Sequence, residues 1–123
     1  MDHATLARVI GIGRIAIGAG LLALPRLTGT VWLGSPAEQP GGQLAVASLG
    51  ARDMALGAGT VWALGGRKRD PRPWLLASAA GDLADLAGVL RHREGLTSAS
   101  AITTAAMAGG AAAAGVWLAN ELG

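Results

Sequence analysis

Four long apolar stretches, at about 5–24, 44–64, 74–90 and 99–118, alternate with short segments that carry most of the polar residues. A helix needs roughly 20 residues to cross the ~30 Å hydrocarbon core of a bilayer. Three of the stretches have that length, and 74–90 is near the short limit. Together they hold only six of the 18 charged residues. The pattern predicts an all-α chain: a four-helix transmembrane bundle with antiparallel up-down topology, one integral membrane domain over 1–123. The last stretch runs from Ala99 to Asn120 without a charge and shows no polar face. A helix on the surface of a soluble bundle would show one.

The connections carry helix punctuation. Pro25 and Arg26 close the first stretch, and Gly65, Gly66 and the run Arg67-Lys68-Arg69-Asp70-Pro71 close the second. Arg91, His92 and Arg93 follow the third, where cations suit a helix C-terminus. Thr97 or Ser98 is placed to cap the fourth. The longest connection, 26–42, contains Trp32 and Leu33 and is expected to lie along the membrane interface. Within it, Ser35-Pro36-Ala37-Glu38 fits a capping box that Pro40-Gly41-Gly42 should cut short. The first stretch differs from a cleaved leader, because Asp2 weakens its basic start and Arg14 interrupts its apolar core.

Composition strengthens this picture. Hydrophobic residues make up 51% of the chain and charged residues 15%, where soluble domains carry roughly 25% charged residues. The absence of cysteine excludes disulfides, thiolate zinc sites and thiol chemistry. The high pI reflects a net charge of only +2, and with neither Phe nor Tyr to stack on bases nucleic acid is not an expected partner. Short-loop cations set orientation. Arg8, Arg67, Lys68, Arg69 and Arg72 fall on one side, against Arg26, Arg91 and Arg93 on the other. Both termini are therefore expected in the cytoplasm, with the chain in the cytoplasmic membrane. Trp62, Trp74 and Trp117 then share the inner interface, and Trp32 is left for the outer face.

The candidate chemistry is the charge inside the spans. Arg14, Arg52, Asp53, Asp82 and Asp85 all fall about 12–17 Å from the start of their segments, near the bilayer midplane. Each costs at least ~2.5–3.5 kcal/mol there, so the five must face one another or water. Gly11, Arg14 and Gly18 share one helix face; Gly50, Asp53, Gly57 and Thr60 share another; Ser78, Asp82, Asp85 and Val89 form a third stripe. Adjacent Arg52 and Asp53 point about 100° apart and are not expected to serve one partner. The expected pairs are Arg14 with Asp53 and Arg52 with Asp85, which leaves Asp82 as the unpaired acid. Such a cluster is either an architectural clasp or a polar site for proton carriage, a lipid-like substrate or an ion.

Other matches are weaker. Gly11-Ile12-Gly13-Arg14-Ile15-Ala16 fits a dinucleotide-binding pattern literally, but no strand precedes it and no βαβ alternation follows. Asp82-x-x-Asp85 is similar to aspartate motifs that hold Mg²⁺ on a diphosphate, without the further oxygen ligands that such sites need. His3 and His92 belong to opposite sides of the predicted membrane and cannot share a metal. No cofactor or metal site is expected. The small residues of the fourth stretch suit close packing, and Thr103 and Thr104 can bond back to their own helix.

Three motifs carry a resemblance: Ala7-Arg8-Val9-Ile10-Gly11-Ile12-Gly13-Arg14, Leu49-Gly50-Ala51-Arg52-Asp53-Met54-Ala55-Leu56-Gly57, and Gly81-Asp82-Leu83-Ala84-Asp85. With these the chain resembles small four-helix bacterial membrane proteins of the DoxX-like kind. The resemblance implies a four-span bundle in the cytoplasmic membrane and carries over no catalytic residue. DoxX proteins are linked to partner redox proteins, but a chain without cysteine offers no direct thiol chemistry. The function expected is that of an accessory or structural membrane component, packing with copies of itself or with another membrane subunit. The alternatives are a small membrane enzyme or isomerase acting on a lipid-soluble molecule, which needs a cavity beside the cluster, and a proton- or solute-conducting oligomer.

Overall fold

A computed structural model describes all 123 residues and is entirely helical, with no strand. Its five α-helices are α1 (His3–Ala23), α2 (Pro25–Leu33), α3 (Pro40–Leu64), α4 (Arg72–His92) and α5 (Ser98–Glu121). Single 3₁₀ turns at Ser35–Glu38 and Arg93–Gly95 lie between them. The four apolar stretches each become a helix of 21 to 25 residues. Asp2 caps α1 by accepting from the Thr5 amide at 2.7 Å, and Thr97 caps α5 by accepting from the Ser100 amide at 3.1 Å.

The 26–42 connection departs from expectation. Pro25 does not merely end α1; it starts α2, where its missing N–H costs nothing at the first helical position. Gly34, at φ 74°, takes the left-handed conformation that ends α2. The Ser35–Glu38 turn is cut short ahead of Pro40, as expected, and Pro40-Gly41-Gly42 goes on to form the first turn of α3, again with proline at the helix start. A side chain at Gly42 would collide with the Pro36 carbonyl, so this turn packs directly onto the 3₁₀ segment.

Packing is uneven. The extensive contacts are between α1 and α3 and between α4 and α5; α3 meets α4 along fewer residues, and α1 meets α5 least of the four long neighbours. Along the α1–α3 seam Gly11 faces Gly57 and Gly18 faces Gly50, so the two helices run antiparallel with backbone against backbone. Gly115 lies against Ala79 and the Leu75 carbonyl, which sets α4 antiparallel to α5. Trp74 covers Gly59 and joins α3 to α4. Where the termini meet, Ala7, Leu75, Leu118 and Ala119 form the larger buried cluster. A second one, Leu21, Ala37 and Val46, anchors the connection at the opposite end.

Only 22 of the 123 residues are buried. Val9, Ile12, Ile17, Leu83, Ile102 and Met107 are all more than half exposed. Two helices, α1 and α5, are long and apolar enough to cross a membrane, and only 22% and 28% of their most apolar stretches is buried within the protein.

Candidate functional site

The five charged candidates converge from three helices. Arg14 on α1 donates to Asp53 on α3 at 3.1 Å and also pairs with Asp82 on α4. Arg52 on α3 grips Asp85 on α4 through two bonds, at 3.0 and 2.7 Å, and reaches Asp53 at 3.3 Å. The order is Asp82–Arg14–Asp53–Arg52–Asp85, a single chain of alternating charge with acids at both ends. Side-chain exposure rises along it, from 7% at Asp82 and 12% at Arg14 to 32% at Arg52 and 30% at Asp85. The two-bond Arg52–Asp85 contact is the forked geometry in which guanidinium and carboxylate match best.

One expectation is corrected here. Asp82 is not an unpaired acid, because Arg14 spreads its two terminal nitrogens over Asp53 and Asp82. The register explains it: Ala7 packs with Leu75, and one helical face further along Arg14 meets Asp82, so α1 and α4 run parallel across the core. Arg52 and Asp53 serve different partners, as expected, but they also touch each other. Their Cβ atoms diverge, but the long Arg52 side chain folds back far enough to touch its neighbour.

A cavity of about 570 Å³ opens beside the network. Arg14, Asp53, Asp82 and Asp85 form its polar wall, and Arg52 is absent from the lining because its guanidinium lies behind, against Gly81. Ile10, Ile17 and Leu21 of α1 face Met107, Ala108 and Ala111 of α5 across it. The cavity thus fills the gap left where α1 and α5 hardly touch. Val31, Ile17 and Met107 line it and are exposed, so it opens on the lateral surface. A smaller cavity of about 150 Å³ lies on the other side of Arg14, toward Leu75 and Leu118. The Ser78 hydroxyl lines it, buried and without a hydrogen-bond partner.

Sequence reasoning missed the far end of the large cavity. The Thr104 hydroxyl, able to bond back to its own helix, does not do so. Instead the Trp32 indole N–H donates to the Thr104 hydroxyl at 2.6 Å, and the Ser100 hydroxyl donates to the Trp32 carbonyl at 2.9 Å. The α2 segment is therefore a strap tied to the start of α5, closing one end of the cavity with an aromatic ring. The signal that could have found it is the indole itself: Trp32 is the one aromatic residue of that connection, and a tryptophan needs a hydrogen-bond partner when covered.

The opposite end of the molecule gathers Trp62, Trp74 and Trp117 with the basic residues. Arg69 stacks over the Trp62 ring at 4.2 Å, and Arg8 donates to the Leu64 carbonyl at 3.2 Å. His3 lies edge-on to Trp117, 5.1 Å between ring centroids, and 3.5 Å from Glu121. Asp70 holds Arg72, and the hydrogen bonds from that guanidinium keep the carboxyl below its usual range. No three His, Cys, Asp or Glu side chains converge as a metal site. No protein-family model, curated protein or solved structure matches the chain.

Proposed function

We propose that the protein is a multi-pass membrane protein, with all four long helices spanning the cytoplasmic membrane, that binds a lipid-soluble molecule in the cavity beside the Arg/Asp network. The observation that carries this reading is the cavity itself. It has the volume of a small-molecule site, mostly apolar walls and a few convergent polar groups at one end. Ligand binding is the common core of a carrier and of an enzyme acting on such a molecule. A clasp alone has no use for the space.

Membrane insertion is supported by the exposed Val, Ile, Leu and Met side chains along α1, α4 and α5, more apolar surface than a soluble monomer usually shows. Helices α3 and α4 are less apolar than α1 and α5, but their intramembrane charges are turned toward one another. The basic residues and three tryptophans at one end support cytoplasmic termini, and the DoxX-like resemblance points the same way. A second reading, an accessory subunit whose charges only fix helix register, is favoured by the pairing of all five side chains.

The protein should remain with membranes through alkaline carbonate washing and leave only with detergent. Reporters fused after Gly66 and Gly123 should report cytoplasm, and one after Gly95 the outside. A photoreactive alkyl probe should then label Leu21 or Ala108, which are buried and line the cavity, in wild type and not after Gly13→Phe, which fills the cavity from an unobstructed position. Recovery as a soluble monomer, or labelling unchanged by Gly13→Phe, overturns the reading.

A further inference from the structure

We propose that the occupant of the large cavity is a lipophilic monovalent cation, its positive centre held by the carboxylates of the network and its apolar body lying between α1 and α5. This rests on the ligand-binding reading above and adds the charge of the ligand.

The argument is one of charge balance. Three aspartates and two arginines form one connected network, so one negative charge is uncompensated within it. The imbalance is larger at the cavity wall. All three carboxylates line the cavity, but only Arg14 does among the guanidiniums, since Arg52 approaches from behind. No other element supplies a balancing cation. Helix α5 faces the network with Thr104, Met107, Ala108 and Ala111 and carries no charge before Glu121. Helix α2 contributes Val31 and Trp32, and its Arg26 is not part of the lining. In a surrounding of low dielectric, an uncompensated carboxylate attracts a cation far more strongly than it does in water. The Trp32 ring adds a face to which cations are also drawn. An anionic ligand would meet three carboxylates, and a neutral one would leave the excess charge unrelieved.

The exposed rim residues Val31, Ile17 and Met107 give the entry route. A lipophilic cation partitions into the membrane and can pass laterally between α1 and α5 without crossing the Trp-rich end. Hydrophilic cations have no such route. The occupant's body must be apolar because every wall apart from the network and the Trp32–Thr104 contact is aliphatic, methionine or glycine.

Tetraphenylphosphonium and tetraphenylborate share one shape and differ in the sign of their charge. Binding of each to the purified protein in detergent is measured by equilibrium dialysis, with Gly13→Phe protein as the blank for micelle partitioning. Wild type should bind the phosphonium at least tenfold more tightly than the borate. Asp82→Asn, which balances the network at two acids and two bases, should remove most of that preference. Equal binding, or preference for the borate, overturns the cationic occupant but leaves the cavity reading intact, provided that Gly13→Phe abolishes it. If neither probe binds above the Gly13→Phe blank, the cavity reading falls and the cationic occupant with it. The wild-type ratio decides the matter even if Asp82→Asn proves unstable.

Discussion

Helix α1 has two flanks with opposite fates. Toward α3, Gly11 and Gly18 let two backbones touch, and no space remains. Toward α5, Gly13, Ile17 and Leu21 face a cavity of about 570 Å³. Both flanks are built of glycine and aliphatic residues, so composition does not separate them. What separates them is the partner. The seam residues meet glycines at matching intervals on α3, Gly50 and Gly57, seven apart like their own pair. On α5 the residues opposite are alanines and Met107, and the strap of α2 holds that helix away at one end. Small residues close a helix pair only when both sides are small at the same height. Arg14 sits on the boundary between the flanks and reaches across to α3 and α4.

That boundary is where the largest effect is expected. Arg14→Ala leaves Asp53 with only the longer Arg52 contact and strands Asp82 without a partner. Breaking a buried pair by removing one partner costs about 3–5 kcal/mol. Arg52→Ala, at the more exposed end of the network, should cost clearly less. Thermal unfolding of the two variants in one detergent ranks them, and equal losses would show that the network has no buried end.

One substitution made on each flank then tests the comparison directly. A Cβ at Gly57 would run into the Gly11 carbonyl and come within 3.0 Å of the Arg14 Cβ, whereas a Cβ at Gly13 meets nothing within 4 Å. Gly57→Ala should destabilise by about 1–3 kcal/mol as the seam is forced apart. Gly13→Ala should stabilise by roughly 0.5–1 kcal/mol, because alanine is the better helix former and nothing obstructs it. Destabilisation by both would mean that the α5 flank is as closed as the seam.

The seam was legible in the chain because Gly11, Arg14, Gly18 and Gly50, Asp53, Gly57 each lie on one face of one helix, and face periodicity is a local property. The common depth of the five charges followed from counting residues along each segment. The partner of Asp82 did not follow. Two arginines and three acids at one level allow several pairings, and the choice depends on how α1 and α4 register across the core, which no local pattern encodes. The cavity was beyond reach for a related reason: it arises from contacts that α1 and α5 fail to make. Strap α2 was read as an interfacial connection because nine residues with one indole give no periodicity from which to infer a docking face.

Asp82→Asn probes the cavity flank at lower cost. The amide oxygen still accepts from Arg14, and Arg14 keeps Asp53, so only the difference between a charged and a neutral hydrogen bond is lost. That difference is about 1 kcal/mol, partly offset because the network becomes electrically balanced. The change in unfolding temperature should therefore be a small fraction of that for Arg14→Ala. A loss as large as the Arg14→Ala loss would mean that Asp82 holds the helices together rather than facing a ligand.

The smallest effect should come from groups on neither flank, at the end of the molecule where the termini meet. The backbone amide and the side chain of Thr5 hold the Asp2 carboxyl below its ordinary value, and the Arg72 side chain and backbone do the same for Asp70. A depressed carboxylate stabilises the folded state above the unfolded-state value of about 3.8, and that contribution disappears as pH falls through the lower folded-state value. Acidification from pH 7 to pH 5 should thus leave these contributions intact, and acidification below pH 5 should remove them progressively. Both groups lie on the exposed surface, so Asp2→Asn and Asp70→Asn should each lower the unfolding temperature only slightly and flatten the acid limb of its pH profile. Amide exchange gives the sharper measurement. Asp2→Asn should speed exchange in the first turn of α1 while leaving the Gly11–Gly18 seam unchanged. Faster exchange at the seam as well would show that the termini and the seam open as one unit.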